Sequence, residues 1–172
     1  MSGAVAAEPA VDLERLGAFL AAAGLCEGPV RAHRIGDGHS NLTYRVSDGT
    51  RDVVVRRPPP PPLPPGGHDM QREARVVRAL AGTPVPVARI LATAAAGEAF
   101  PDVPAYVMEY VDGEVITGRT PPGLATDAGR RGLAHGLVDT LAALHAVDWR
   151  AAGLEGFGRP EGSNAHLLRR YE

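Results

Sequence analysis

Ile35-Gly36-Asp37-Gly38-His39-Ser40-Asn41-Leu42-Thr43-Tyr44, followed one turn later by Val53-Val54-Val55-Arg56-Arg57, decides how this chain must fold. Short β-branched runs between Val30 and Arg57 are broken by Gly36-Asp37-Gly38 and by Ser47-Asp48-Gly49-Thr50. Asp-Gly between two such runs is a strong hairpin signal, so three antiparallel strands are expected here. The alternation of a strand places Val54 and Arg56 on one face and Val53 and Val55 on the other.

Working outward, Asp12 caps a helix whose apolar residues Leu13, Leu16, Phe19, Leu20 and Ala23 recur at helical spacing, with Gly24 placed to end it. Downstream, Pro58 to Gly67 holds seven prolines and two glycines in ten positions, which excludes regular structure and favours an extended surface linker. Asp69 then caps a helix running to about Leu80, followed by the breaker Thr83-Pro84-Val85-Pro86. Strands are expected near Val87 to Thr93 and from Ala105 to Val111. After a Gly- and Pro-rich crossing, Leu133, Leu137, Leu141 and Leu144 mark a helix from about Asp127 to Val147, and another begins near Asn164.

Composition narrows the functions available. The 172 residues carry a formal net charge of -2 with no clustered basic excess, so a nucleic-acid partner is not expected. All 18 basic residues are arginine, so any task normally given to a lysine ammonium falls to a guanidinium. The single cysteine, Cys26, excludes an intramolecular disulfide and reads as a buried structural thiol. Histidine spacing offers no metal site, and no segment reads as a secretion signal or membrane span, so a cytoplasmic location and no membrane partner are expected.

On the helix after the proline run, Met70, Glu73, Val77 and Leu80 share one stripe, so Glu73 projects from a face that should be buried. A buried carboxylate needs a partner, and Arg56 at the end of its strand is the best candidate. Spacing alone equally allows an exposed strand-end arginine and a solvated glutamate. The glycine turn can bring backbone N–H groups, with Ser40 and Asn41, close to phosphate oxygens, although such a turn taken alone is ordinary.

The order of the segments is more specific than any one of them. Gly38-His39-Ser40-Asn41-Leu42-Thr43-Tyr44, Val55-Arg56-Arg57-Pro58, Arg72-Glu73-Ala74-Arg75-Val76-Val77, Val85-Pro86-Val87, Tyr106-Val107-Met108-Glu109-Tyr110-Val111-Asp112-Gly113 and Leu144-His145-Ala146-Val147-Asp148-Trp149 together resemble the aminoglycoside phosphotransferase family. The closer likeness is to its branch related to the kinase-like domain of acyl-CoA dehydrogenase fusions. The resemblance implies an α+β, protein-kinase-like N-lobe: about five antiparallel strands with a glutamate-bearing helix, plus the first helices of an incomplete C-lobe. It implies an N-terminal helical segment at 1–28, the N-lobe at 29–112, and a linker with C-lobe helices at 113–172.

By the same resemblance, Gly36, Gly38, His39, Ser40, Asn41, Arg56 and Glu73 form the phosphate side of an ATP (or GTP) site. Val54 and Met108 flank the adenine, and the backbone of Glu109 and Val111 meets its edge. Arg56 stands where the family's relatives among kinases carry a lysine. The family's His-Gly-Asp loop and later magnesium-binding Asp do not occur in the sequence: His135-Gly136 is followed by Leu137 and lies in a leucine-periodic helix. No catalytic or metal-ligating residue is therefore expected in this chain, with the Mg2+ ligands lying elsewhere. A small-molecule acceptor would bind only with a C-lobe supplied. The alternative expectation is a noncatalytic nucleotide-binding or interaction module that pairs with itself through its exposed C-terminal helices.

Overall fold

The computed structural model describes residues 11–36, 40–63, 68–116 and 118–158. Helix α1 (Leu13–Ala22) starts at Asp12, whose carboxylate accepts from Arg15 N at 3.0 Å, and closes where Gly24 adopts φ 68°. There Leu25 N donates to Leu20 O and Gly24 N to Ala21 O, both at 2.9 Å, which satisfies the last carbonyls of the helix. Strands β1 (Arg31–Arg34), β2 (Leu42–Ser47) and β3 (Asp52–Arg57) follow, then α2 (Met70–Leu80), β4 (Ile90–Ala94), β5 (Ala105–Glu109) and α3 (Asp127–His145), the last preceded by a 3-10 turn at Pro122–Leu124. The sheet order is β1-β2-β3-β5-β4 with every neighbour antiparallel. This is the α+β architecture that the sequence leads one to expect.

The turn between β2 and β3 carries its own explanation. Asp48 accepts from the backbone N–H groups of Glu27, Thr50 and Arg51 at 2.7–2.8 Å, and Gly49 takes φ 94°, where a side chain would be strained. Those three donors hold the Asp48 carboxyl down at about 2. The turn sets the register Tyr44↔Val55 and Val46↔Val53, so the inward residues of both strands meet on one face. There they join Leu16 and Leu20 of α1, Cys26, Val107, and Phe100 and Val103 of the β4–β5 connection. The thiol of Cys26 is 2% exposed, and burial pushes its pKa up.

On the opposite face α2 packs against β4 and β5, with Met70 and Ala74 on Tyr106 and with Ile90 and Met108 at the margin. The segment after α3 holds the outer side of that helix. Arg75 Nη2 donates to Gly153 O and Glu155 O at 3.0 Å, and the guanidinium groups of Arg72 and Arg75 lie 4.1 and 5.8 Å from the Phe157 ring.

Two strands are shorter than expected. β4 begins at Ile90 because Pro84 and Pro86 hold the preceding segment off the ladder, and β5 ends at Glu109, whose N–H still reaches Arg89 O at 2.9 Å. Ile90 and Ala92 pair with the adjacent Met108 and Val107, so Leu91 is an extra residue in a bulge. The helix expected near Asn164 lies outside the described residues. Among those described, no helix is long and apolar enough to cross a membrane.

Candidate functional site

The β2–β3 register and the β3–β5 register place Thr43, Arg56 and Tyr106 side by side in a single row across three strands. That row faces α2, which brings Glu73 above it. Arg56 Nε donates to Glu73 Oε2 at 3.2 Å and Nη1 to Thr43 Oγ1 at 3.3 Å. Tyr106 donates its hydroxyl to the same Glu73 Oε2 at 3.3 Å, while Asn41 Nδ2 donates to Oε1 at 3.0 Å. Glu73 is thus the shared acceptor for a guanidinium, a phenol and an amide. His68 Nδ1 lies 2.7 Å from Asn41 Oδ1 and extends this network to the residue just before the α2 cap.

Exposure separates these groups. Asn41 and Tyr106 are 6% and 4% exposed, whereas the Arg56 and Glu73 side chains remain 34% and 37% exposed. Burial pushes the Tyr106 phenol up to about 12, and the neighbouring Glu73 carboxylate adds to this against the opposing charge of Arg56. The third nitrogen of Arg56, Nη2, has no partner among the described residues, so the pair presents a half-open cation with donors to spare. That combination suits a bidentate anion such as a phosphate group.

One row further along the strands, about 7 Å away by strand rise, Val54 stands opposite Met108, and Met108 opposite Ile90. Val54 is 5% exposed and Met108 half-buried, making an apolar strip beside the charged pair. The Glu109 carboxylate accepts from Arg89 N at 3.0 Å and from its Nε at 3.4 Å, which fixes the start of the chain segment leaving the sheet. Val111 beyond it is 65% exposed. Gly36 has φ 75° and open space where a side chain would be, and Ser40 is exposed at the other end of the turn. Gly38 and His39 lie outside the described residues. The structure therefore gathers Asn41, Arg56 and Glu73 into one cluster, with Val54 and Met108 on the next row.

Tyr106, Thr43 and His68 join the cluster without being expected from the sequence. Thr43 was available in principle, because counting back from the Asp48-Gly49 turn pairs it with Arg56. Arg57 is a further surprise. It points to the other face, is 6% exposed, lies over the Phe100 ring at 4.7 Å and has no acceptor for Nε among the described residues; burial depresses its pKa. Among the described residues, no group of three or more His, Cys, Asp or Glu side chains is arranged to hold a metal ion.

Comparison with known proteins places the chain in a family. The chain is 32% identical over 132 residues to acyl-CoA dehydrogenase family member 10 of Mus musculus, covering 77% of this chain and 12% of that protein. It is 37% identical over 125 residues to acyl-CoA dehydrogenase family member 11 of Homo sapiens, covering 70% of this chain and 15% of that protein. The chain therefore spans a small part of the curated relatives it matches. A solved Ralstonia eutropha protein, named after the aminoglycoside phosphotransferases, superposes with a TM-score of 0.73 at 30% identity, over 94% of this chain and 46% of that one. Residues 31–172 match the model of the phosphotransferase enzyme family, and the chain belongs to that family.

Proposed function

We propose that this chain is the nucleotide-binding part of a kinase-like phosphotransferase that moves the γ-phosphate of ATP (or GTP) to a small-molecule hydroxyl. The observation that carries this reading is the Arg56–Glu73 pair, a half-exposed guanidinium with unused donors beside the apolar Val54–Met108 strip. Arg56 binds phosphate oxygens with its free N–H groups, Glu73 fixes its orientation, and the backbone N–H groups at Gly36 and Ser40 add donors on the phosphate side. Val54 and Met108 flank the base, and the backbone of Glu109 and Val111 meets its edge. Magnesium bound with the nucleotide would neutralise phosphate charge, with its protein ligands supplied from the C-lobe. Phosphoryl transfer and acceptor binding then depend on groups outside the 172 residues, in keeping with the 46% share of the solved relative that they span. The test is thermal unfolding with millimolar ATP and Mg2+. An upward shift that Arg56→Ala abolishes, without ATP turnover by this chain, is expected; no shift in the parent chain overturns the proposal.

The exposed leucines of α3 favour a second reading. Leu137, Leu141 and Leu144 are 71%, 49% and 43% exposed on a helix with no buried residue. Such a face suits either a large lobe packed upon it or a noncatalytic module that pairs with itself. Sedimentation of the isolated chain separates them: a dimer dispersed by Leu137→Glu supports the second reading, and a monomer argues against it.

A further inference from the structure

Asn41 offers less to a ligand than its place in the glycine turn implies. Both ends of its buried side-chain amide are occupied, Nδ2 by Glu73 Oε1 at 3.0 Å and Oδ1 by His68 Nδ1 at 2.7 Å. A carboxylate paired with a guanidinium only accepts, so the amide nitrogen must face Glu73 and the oxygen must face His68. The imidazole must then carry a hydrogen on Nδ1 and donate it.

The backbone fixes the ring that does this. His68 adopts φ 60°, the left-handed region that a side chain rarely enters, directly before Asp69, whose carboxylate caps α2 through Arg72 N at 2.9 Å. The entry to α2 therefore presents a donor to Asn41, and Asn41 presents one to the carboxylate carried by the first turn of that same helix. Among the described residues Oε1 of Glu73 has no other donor, while Oε2 serves Arg56 and Tyr106.

We propose that Asn41 and His68 are positioning residues for the Glu73–Arg56 pair: a relay of two hydrogen bonds that sets the carboxylate against the guanidinium and ties the glycine turn to α2. In this assignment Asn41 acts on a bound phosphate through Glu73 and Arg56 rather than touching it. The nucleotide arm of the test rests on the function proposed above; the other arms do not.

In the intact chain, 15N-histidine NMR reads the tautomer of His68 directly. An Nδ1–H form that is lost in Asn41→Leu is expected, and an Nε2–H form in the parent overturns the relay. For binding of ATP with Mg2+, Asn41→Leu and His68→Leu each weaken affinity about tenfold, the scale of a single hydrogen bond. The double variant is no weaker than either single one, and neither change has an effect in a Glu73→Ala background. Equal losses with and without Glu73 would make Asn41 a direct phosphate ligand and refute the proposal. His68 is only half-buried, so His68→Leu serves if Asn41→Leu fails to fold. If the parent binds no nucleotide, the same variants are compared by urea unfolding. Non-additivity between His68→Leu and Glu73→Ala then upholds the relay while the nucleotide reading falls, and additivity overturns the relay.

Discussion

Replacing Glu73 should damage the fold more than replacing Arg56, although the two form one ion pair. Glu73→Ala removes the acceptor of three donors, two of them on residues only 6% and 4% exposed, Asn41 and Tyr106. A buried donor left without an acceptor costs about 1–3 kcal/mol, and partial access of water to the vacated space puts the pair near 3 kcal/mol together. Alanine regains only a few tenths of a kcal/mol in helix propensity. Arg56→Ala leaves Glu73 bonded to Asn41 and Tyr106 and removes a pair whose members are 34% and 37% exposed, so its cost is about 1 kcal/mol or less. Urea unfolding at neutral pH should therefore separate the two variants by about 2 kcal/mol, which corresponds to roughly 4–8 °C in Tm for a chain of this size. Nucleotide binding should rank them differently, since the proposed function puts the phosphate on Arg56 itself. Equal destabilisation by the two substitutions, or a Glu73→Ala cost below that of Arg56→Ala, would refute the view of Glu73 as a shared acceptor.

The phenol of Tyr106 is raised from its ordinary value of 10 to about 12, so the folded state holds that proton more tightly than the unfolded state. The resulting stability is complete below pH 10 and is lost as pH rises toward 12; Tyr106→Phe should flatten that limb of the unfolding curve and remove one step near pH 12 from the ultraviolet phenol titration. Asp48 is shifted the other way, from 3.8 to about 2, so its contribution is present above pH 4 and fades as pH falls toward 2; Asp48→Asn should make acid unfolding between those values shallower. Gly129 lies in the first turn of α3, where a Cβ would collide with the backbone carbonyl of Leu124. Ordinarily Gly→Ala in a helix stabilises by about 1 kcal/mol, but here the clash with backbone should reverse the sign and lower Tm.

Much of the fold is legible from local chemistry. Asp12 and Asp69 accept from the third residue of their helices as capping requires, Gly24 and Gly49 take the positive φ that their places demand, and alternation along Val53-Val54-Val55-Arg56 separates the faces of β3. Each of these is settled within a few residues of chain. The faces of Arg56 and Glu73 make their encounter a candidate, which spacing alone leaves no better than a solvated pair and which the docking of α2 decides. The remainder of the cluster has no local signature. Tyr106 reaches Glu73 only because β5 is inserted between β3 and β4, an order that no spacing in the sequence specifies. Asn41 reads as a turn residue free to donate until α2 is placed over the sheet and His68 closes on its other end. Arg57 shows the same division from the opposite side: alternation assigns its face, but only the packing of Phe100 against that face decides that the guanidinium is buried rather than at the surface. Sequence by itself determined the order of helices and strands, where the helices start, and which side of β3 is inward, because caps, turns and alternation are short-range. The shared acceptor at the centre of the candidate site was decided by tertiary structure, because hydrogen-bond partners distant in the chain are chosen by strand order and helix docking.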